Sequence, residues 1–108
     1  RCCGGALIIT NRQAALSLVR NLLQSAVDAG AAVIATACPL CQVNLECYQK
    51  QVNREFETNY SVPVMYFTQL LGLALGVAPQ KLGIGSELIA VMPTIQSAQR
   101  SQPVLAGR

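Results

Sequence analysis

The 108-residue chain has no histidine, no tryptophan and few charges, with only 12% of its residues Asp, Glu, Lys or Arg. Without imidazole, any metal site has to be rich in thiolate, which selects zinc or iron–sulfur. Long apolar runs are also missing. The longest charge-free, nearly all-apolar stretch is 70–78, well short of the roughly 20 residues a membrane helix needs. Basic clustering is absent too. The net charge of +3 is spread thinly, and two of the eight basic residues, Arg100 and Arg108, lie near the C-terminus. A nucleic-acid binder would gather Lys and Arg on one face, so nucleic acid is not an expected partner. The chain opens at Arg1 with no initiator Met, charged leader or signal-peptide apolar region, and reads as a piece of something longer.

Apolar residues are plentiful, at 52% with a mean hydropathy of +0.38. That composition excludes disorder throughout and supplies one core. Five cysteines (Cys2, Cys3, Cys38, Cys41 and Cys47) form an odd set without a secretory leader. This argues against a disulfide framework and for a reducing, cytoplasmic setting, where such spacings serve metals or redox chemistry.

Periodicity predicts a helix over 11–29, started by Thr10 with Gln13 in a capping box or by Asn11, and stopped by Gly30. Residues 31–37 (AAVIATA) fit a strand buried on both faces. Pro39 opens a second helix running to about 58. Residues 62–67 (VPVMYF) form a second strand with Pro63 near its start, and Thr68 caps a helix over about 69–77 that Pro79 terminates. Residues 88–92 (LIAVM) are a candidate short strand. The order helix–strand–helix–strand–helix predicts an α/β fold, a small open parallel sheet with flanking helices, incomplete at its N-terminus. Residues 1–95 are read as one cysteine-rich domain and 96–108 as a flexible tail.

Cys38-Pro39-Leu40-Cys41 falls between a buried strand and a helix N-terminus. Strand carboxyl ends carry the sites of α/β folds, and free N–H groups there favour thiolate. The alternative is a pair of small buried hydrophobes in a core turn. Cys2-Cys3-Gly4-Gly5 shifts the balance. Adjacent thiols can reach different metal atoms of one cluster, while the glycines admit positive φ and a bulky group. One helix and one strand separate the two pairs, enough for both to meet at one end of the sheet. Gln42 and Asn44 are candidate donors to sulfur, or simply solvated helix-start residues. Cys47, about 600° of helical rotation past Cys41, is read as a packing residue. Gly72 and Gly76 are read as close-packing positions.

CCG, a 33-residue spacer and CPLCQVNLE, followed by PVMYFTQLLGLALG at 63–76, resemble the CCG domain of the B-type subunit of heterodisulfide reductase over roughly residues 2–85. That resemblance implies a non-cubane 4Fe–4S cluster with five cysteine ligands. Cys2, Cys3, Cys38 and Cys41 match four of them, and the fifth would precede Arg1. It also implies an oxidoreductase acting on a disulfide or related sulfur compound, within a heterodisulfide reductase-like complex that contains a separate iron–sulfur subunit (C-type) and a flavin subunit (A-type). Related iron–sulfur subunits of lactate-, glycolate- and succinate-oxidising complexes are the alternative, although the intact CPLC favours the heterodisulfide reductase branch. A structural zinc site with four cysteine ligands is a further alternative, disfavoured by adjacent cysteines. A thioredoxin-like fold is disfavoured because Pro63 lies only 22 positions after Cys41.

Overall fold

The computed structural model describes residues 2–101. A single helical turn, α1 (Leu7–Thr10), leads directly into α2 (Arg12–Asp28). Of the two expected caps, Asn11 serves: its side-chain oxygen accepts the Ala14 N–H at 3.1 Å, while the Thr10 hydroxyl bonds back to the Leu7 carbonyl. Gly30, at φ +70°, ends α2 in a Schellman motif, with Gly30 N–H on Val27 O and Ala31 N–H on Ala26 O. Ala15, Leu16, Val19 and Leu23 form the buried face of α2.

The two expected strands are adjacent and parallel. β1 (Ile34–Thr36) pairs with β2 (Val64–Tyr66) in the register Ile34↔Val64, Ala35↔Met65, Thr36↔Tyr66. Both are shorter than the apolar runs containing them. Successive β2 residues point to opposite faces, and both faces are covered. Val64 meets Leu16, Val19, Leu23, Leu45 and Val52, whereas Met65 meets Ile84, Val91 and Ile95. β2 is thus buried between two layers. β1, expected to be buried on both faces, has Ile34 half-buried and Ala35 exposed, because it is the outer strand of the pair and only Thr36 is covered.

The crossover between the strands is two helices, α3 (Pro39–Cys47) and α4 (Gln49–Phe56), where one continuous helix to about 58 was expected. They meet at Tyr48, whose backbone leaves helical geometry at φ −93°, ψ 1°. The bend lets α3 pack on β2 and α4 on α2. It also places Gln49, 1% exposed, against the free rim of β2. There the Gln49 amide donates to Val62 O at 2.7 Å and accepts the Val62 N–H at 2.9 Å. Gln42 donates to Val64 O, and Gln69 accepts the Tyr66 N–H. Three glutamines therefore satisfy backbone groups that a bare edge strand would leave open.

α5 (Phe67–Ala74) starts two residues earlier than expected, and Gly76, not Pro79, ends it. At φ +84° Gly76 closes a second Schellman motif, with its N–H on Leu73 O and Val77 N–H on Gly72 O. Gly72 has the close-packing role: a Cβ there would lie 2.5 Å from a Leu82 methyl in the 3-10 turn Pro79–Leu82. No strand forms at 88–92. The backbone N–H of Leu88 is held by the Glu46 carboxylate at 2.7 Å, and Val91 is buried at the entry to α6 (Met92–Ser101). Residues 96–101, expected to be tail, continue α6 because Ile95 anchors it in the second core cluster. Residues 102–108 lie outside the described residues. Among the described residues no helix is long and apolar enough to cross a membrane.

Replacing Gln49 with Leu should destabilise the fold by about 2–4 kcal/mol, because it strands both the N–H and the C=O of Val62 in a buried rim. Urea unfolding with an unchanged m-value measures this.

Candidate metal centre

The CCGG segment is a turn. Gly4 and Gly5 sit at φ +91° and +47°, and the Leu7 N–H bonds to Gly4 O at 2.8 Å as the chain enters α1. A side chain at Gly4 would be strained by that φ and would approach a Leu18 methyl to 3.2 Å. The two adjacent cysteines differ in burial. Cys3 turns inward and is 1% exposed. Cys2 is exposed, accepts the Gly4 N–H at 3.4 Å and lines an open cleft of about 560 Å³ with Leu18, Asn21 and Leu22.

The second pair sits where β1 passes into α3. Cys38 is the N-cap in extended conformation, Pro39 occupies the first turn, and Cys41 lies one turn on. The crossover brings this turn against the CCGG segment, so that Cys3 Sγ and Cys41 Sγ are 3.2 Å apart. Residues 38 positions apart in sequence thus meet through sulfur. Besides Cys3, Cys38 at the same helix start also raises the Cys41 pKa. As the chain stands, no group of three or more His, Cys, Asp or Glu among the described residues has metal-holding geometry, and Cys2 faces its cleft.

Cys38 and Cys41 are electrostatically unequal. Amide N–H groups of Cys41 and Leu40, facing Cys38 at the helix start, lower its pKa from the ordinary thiol value. Cys41 is pushed up to about 12, first by its hydrogen bond to Cys3, then by burial and by the neighbouring sulfurs. Cys47 ends α3 with an exposed thiol, its pKa raised by partial burial and by Glu46. The expected packing role does not hold, since its side of α3 faces solvent.

The two amides weighed as sulfur donors divide cleanly. Gln42 is engaged elsewhere, donating to Val64 O at 3.1 Å and Glu46 at 3.2 Å and accepting from Thr36. Asn44, 3% exposed, donates to Gly5 O at 2.8 Å and to Cys3 Sγ at 3.6 Å. Sequence alone leaves both open, because an amide in the first turns of a helix normally meets water.

Residues 1–46 match the family described as CCG: Cysteine-rich domain. Over 85 residues it is 40% identical to the B-type subunit of the ferredoxin:CoB-CoM heterodisulfide reductase of Methanosarcina mazei, covering 77% of this chain and 28% of that protein. It is 32% identical over 88 residues to the 8-methylmenaquinol:fumarate reductase membrane anchor subunit of Wolinella succinogenes, with 82% and 31% covered. A protein of Archaeoglobus profundus, described as like the B-type subunit of heterodisulfide reductase, is 31% identical over 83 residues, with 75% and 28% covered. The chain spans roughly three-tenths of the length of these curated relatives. The likeness read from CCG and CPLC is borne out by these matches.

In the reduced, metal-free chain near pH 7, iodoacetamide should label Cys38 first and the buried Cys3 and high-pKa Cys41 last. As pH rises, the Cys38 rate should level off before that of Cys41, because only thiolate reacts and Cys38 ionises earlier. Peptide mass spectrometry of timed aliquots reads the order. Cys41 labelling ahead of Cys38 would contradict the electrostatic assignment.

Proposed function

We propose that the CCG domain of this chain is the cluster-holding part of an iron–sulfur oxidoreductase resembling the B-type subunit of heterodisulfide reductase, with a disulfide or related sulfur compound as substrate. Cys2, Cys3, Cys38 and Cys41 are the ligands this chain contributes to a non-cubane 4Fe–4S cluster. The observation that carries the reading is the 3.2 Å contact between Cys3 and Cys41, which unites the two cysteine motifs at one site.

The donor chemistry fits. Thiols pressed together resist joint ionisation, as the raised Cys41 pKa records, and a bound cation relieves that repulsion while releasing their protons. The Cys38 thiol loses its proton more readily at the helix start. On the open side of Gly5 a Cβ would meet nothing nearer than a Leu40 methyl at 3.9 Å, leaving room for an inorganic group. Cys2 has to swing from its cleft to join the other three, and its exposure at the surface leaves room for that movement. When bound, such a cluster supplies one-electron transfer. The chain's own residues gather and ionise the thiols and shield one side of the site through buried Cys3. A further iron–sulfur subunit and a flavin subunit, of the kinds found in heterodisulfide reductase, are the proposed partners. The reducing cytoplasm is the proposed setting.

The similarity to a fumarate reductase protein favours a second reading, in which the same cysteine site passes electrons within a succinate- or fumarate-linked complex. Both readings need the same ligands.

Anaerobic iron and sulfide analysis with EPR on the complete polypeptide tests the ligand set. Cys38→Ser and Cys41→Ser should each abolish the cluster signal. Cys47→Ala should leave it intact and change stability by no more than about 0.5 kcal/mol, as an exposed substitution. Full iron in Cys38→Ser, or zinc without sulfide in the wild-type protein, would overturn the assignment. Reduction of disulfides as against fumarate-linked turnover separates the two readings.

A further inference from the structure

Asn44 lies in the second turn of α3 and is almost wholly buried, beside a Cys3 that is more buried still. Its orientation is fixed by chemistry. The partner at 2.8 Å is the carbonyl oxygen of Gly5, which can only accept, so the side-chain atom facing it is the nitrogen. An amide nitrogen carries two hydrogens. With one committed to Gly5 O, the other is directed at Cys3 Sγ, 3.6 Å away. A neutral thiol is a poor acceptor, whereas a thiolate or metal-bound sulfur is a good one. A buried N–H held on sulfur by a backbone carbonyl is therefore matched to an anionic Cys3.

We propose that Asn44 is a positioning residue for Cys3: it ties the CCGG turn to α3 through Gly5 and donates a hydrogen bond to the Cys3 sulfur, which raises the reduction potential of the group that Cys3 holds. This rests on the reading of Cys3 as a cluster ligand. The direction follows from charge. Reduction adds negative charge to the ligand sulfurs, and an N–H donor stabilises the more negative state. Removing the donor should shift the potential downward. Gln42, two residues earlier, serves as the internal contrast, since its amide bonds to Val64 O and Glu46 instead of sulfur.

The test uses the complete polypeptide purified without oxygen. Asn44→Leu keeps the size and removes both donors, and Asn44→Asp keeps the shape but can only accept. Each should retain near-wild-type iron and sulfide and show a midpoint potential more negative by an amount equivalent to about a tenfold change in the reduction equilibrium, ~59 mV for one electron. Gln42→Leu should titrate with the wild type. Equal potentials in Asn44→Leu and wild type would overturn the proposal, and so would an equal drop in Gln42→Leu, which would report only a loosened helix.

If neither Asn44 variant keeps iron, side-chain amide NMR of the reduced, metal-free chain decides. In Cys3→Ala one Asn44 amide proton should move and exchange faster while its partner on Gly5 O stays. No change in either proton overturns the proposal. Full iron in Cys3→Ser would instead take Cys3 out of the ligand set, sinking the underlying reading and the potential-setting role with it.

Discussion

A parallel strand pair only three residues long is stable when its inner strand, β2, is covered on both faces and its rim is satisfied, and that constraint organises the molecule. β2 directs Val64 and Met65 into two different layers, so helices are needed on each side of it. The α2, α3 and α4 layer covers one face and the α5, 3-10 turn and α6 layer the other. Closing the rim of β2 requires polar groups inside that packing. Gln49, Gln42 and Gln69 supply them from three separate helices. The helix break at Tyr48 follows from the same demand, because α3 must lie along β2 while α4 returns to α2 and delivers Gln49 to Val62.

The sulfur site depends on that frame. α3 is held to β2 partly by Gln42, and the start of α3 carries Cys38 and Cys41. The CCGG turn is held to α3 by Asn44 through Gly5 O, and the turn carries Cys3. The 3.2 Å approach of Cys3 to Cys41 is thus a consequence of strand burial, rim capping and one amide latch acting in series. Burial and exposure then divide the thiols. Cys3 is locked within the packing, while Cys38 meets solvent with the helix start lowering its pKa.

Much of this arrangement is legible in the residues. Asn11 and Gly30 bound α2 because those residue types cap helices through local hydrogen bonds. Two apolar runs separated by one amphipathic stretch require a parallel pair, and Pro39 marks where the second helix begins. The features that escape are those decided by distant partners. Gln49 sits on an amphipathic pattern that reads as surface, and only the β2 rim gives it a buried role. Asn44 and Gln42 are two positions apart and chemically alike, yet one reaches sulfur and the other a strand carbonyl. Gly76 is hidden as a terminator because it lies within an apolar run that continues to Ala78, with Pro79 the more obvious stop. Cys47 resembles a packing residue by type, and tertiary structure leaves its side of α3 uncovered.

The adjacent cysteines carry the most consequential geometric point. A CC pair cannot present both side chains to one site from extended backbone, since alternate residues face opposite ways. The pair is followed by two glycines at positive φ, which turn the chain into α1, while Asn44 pins the Cys3 side through Gly5. One sulfur is therefore held inside the packing and the other lies at the surface. The Cys3–Cys41 contact is thereby fixed by the fold, while Cys2 stays at the surface. The glycines thus permit the turn, and the amide decides which of its two cysteines is held.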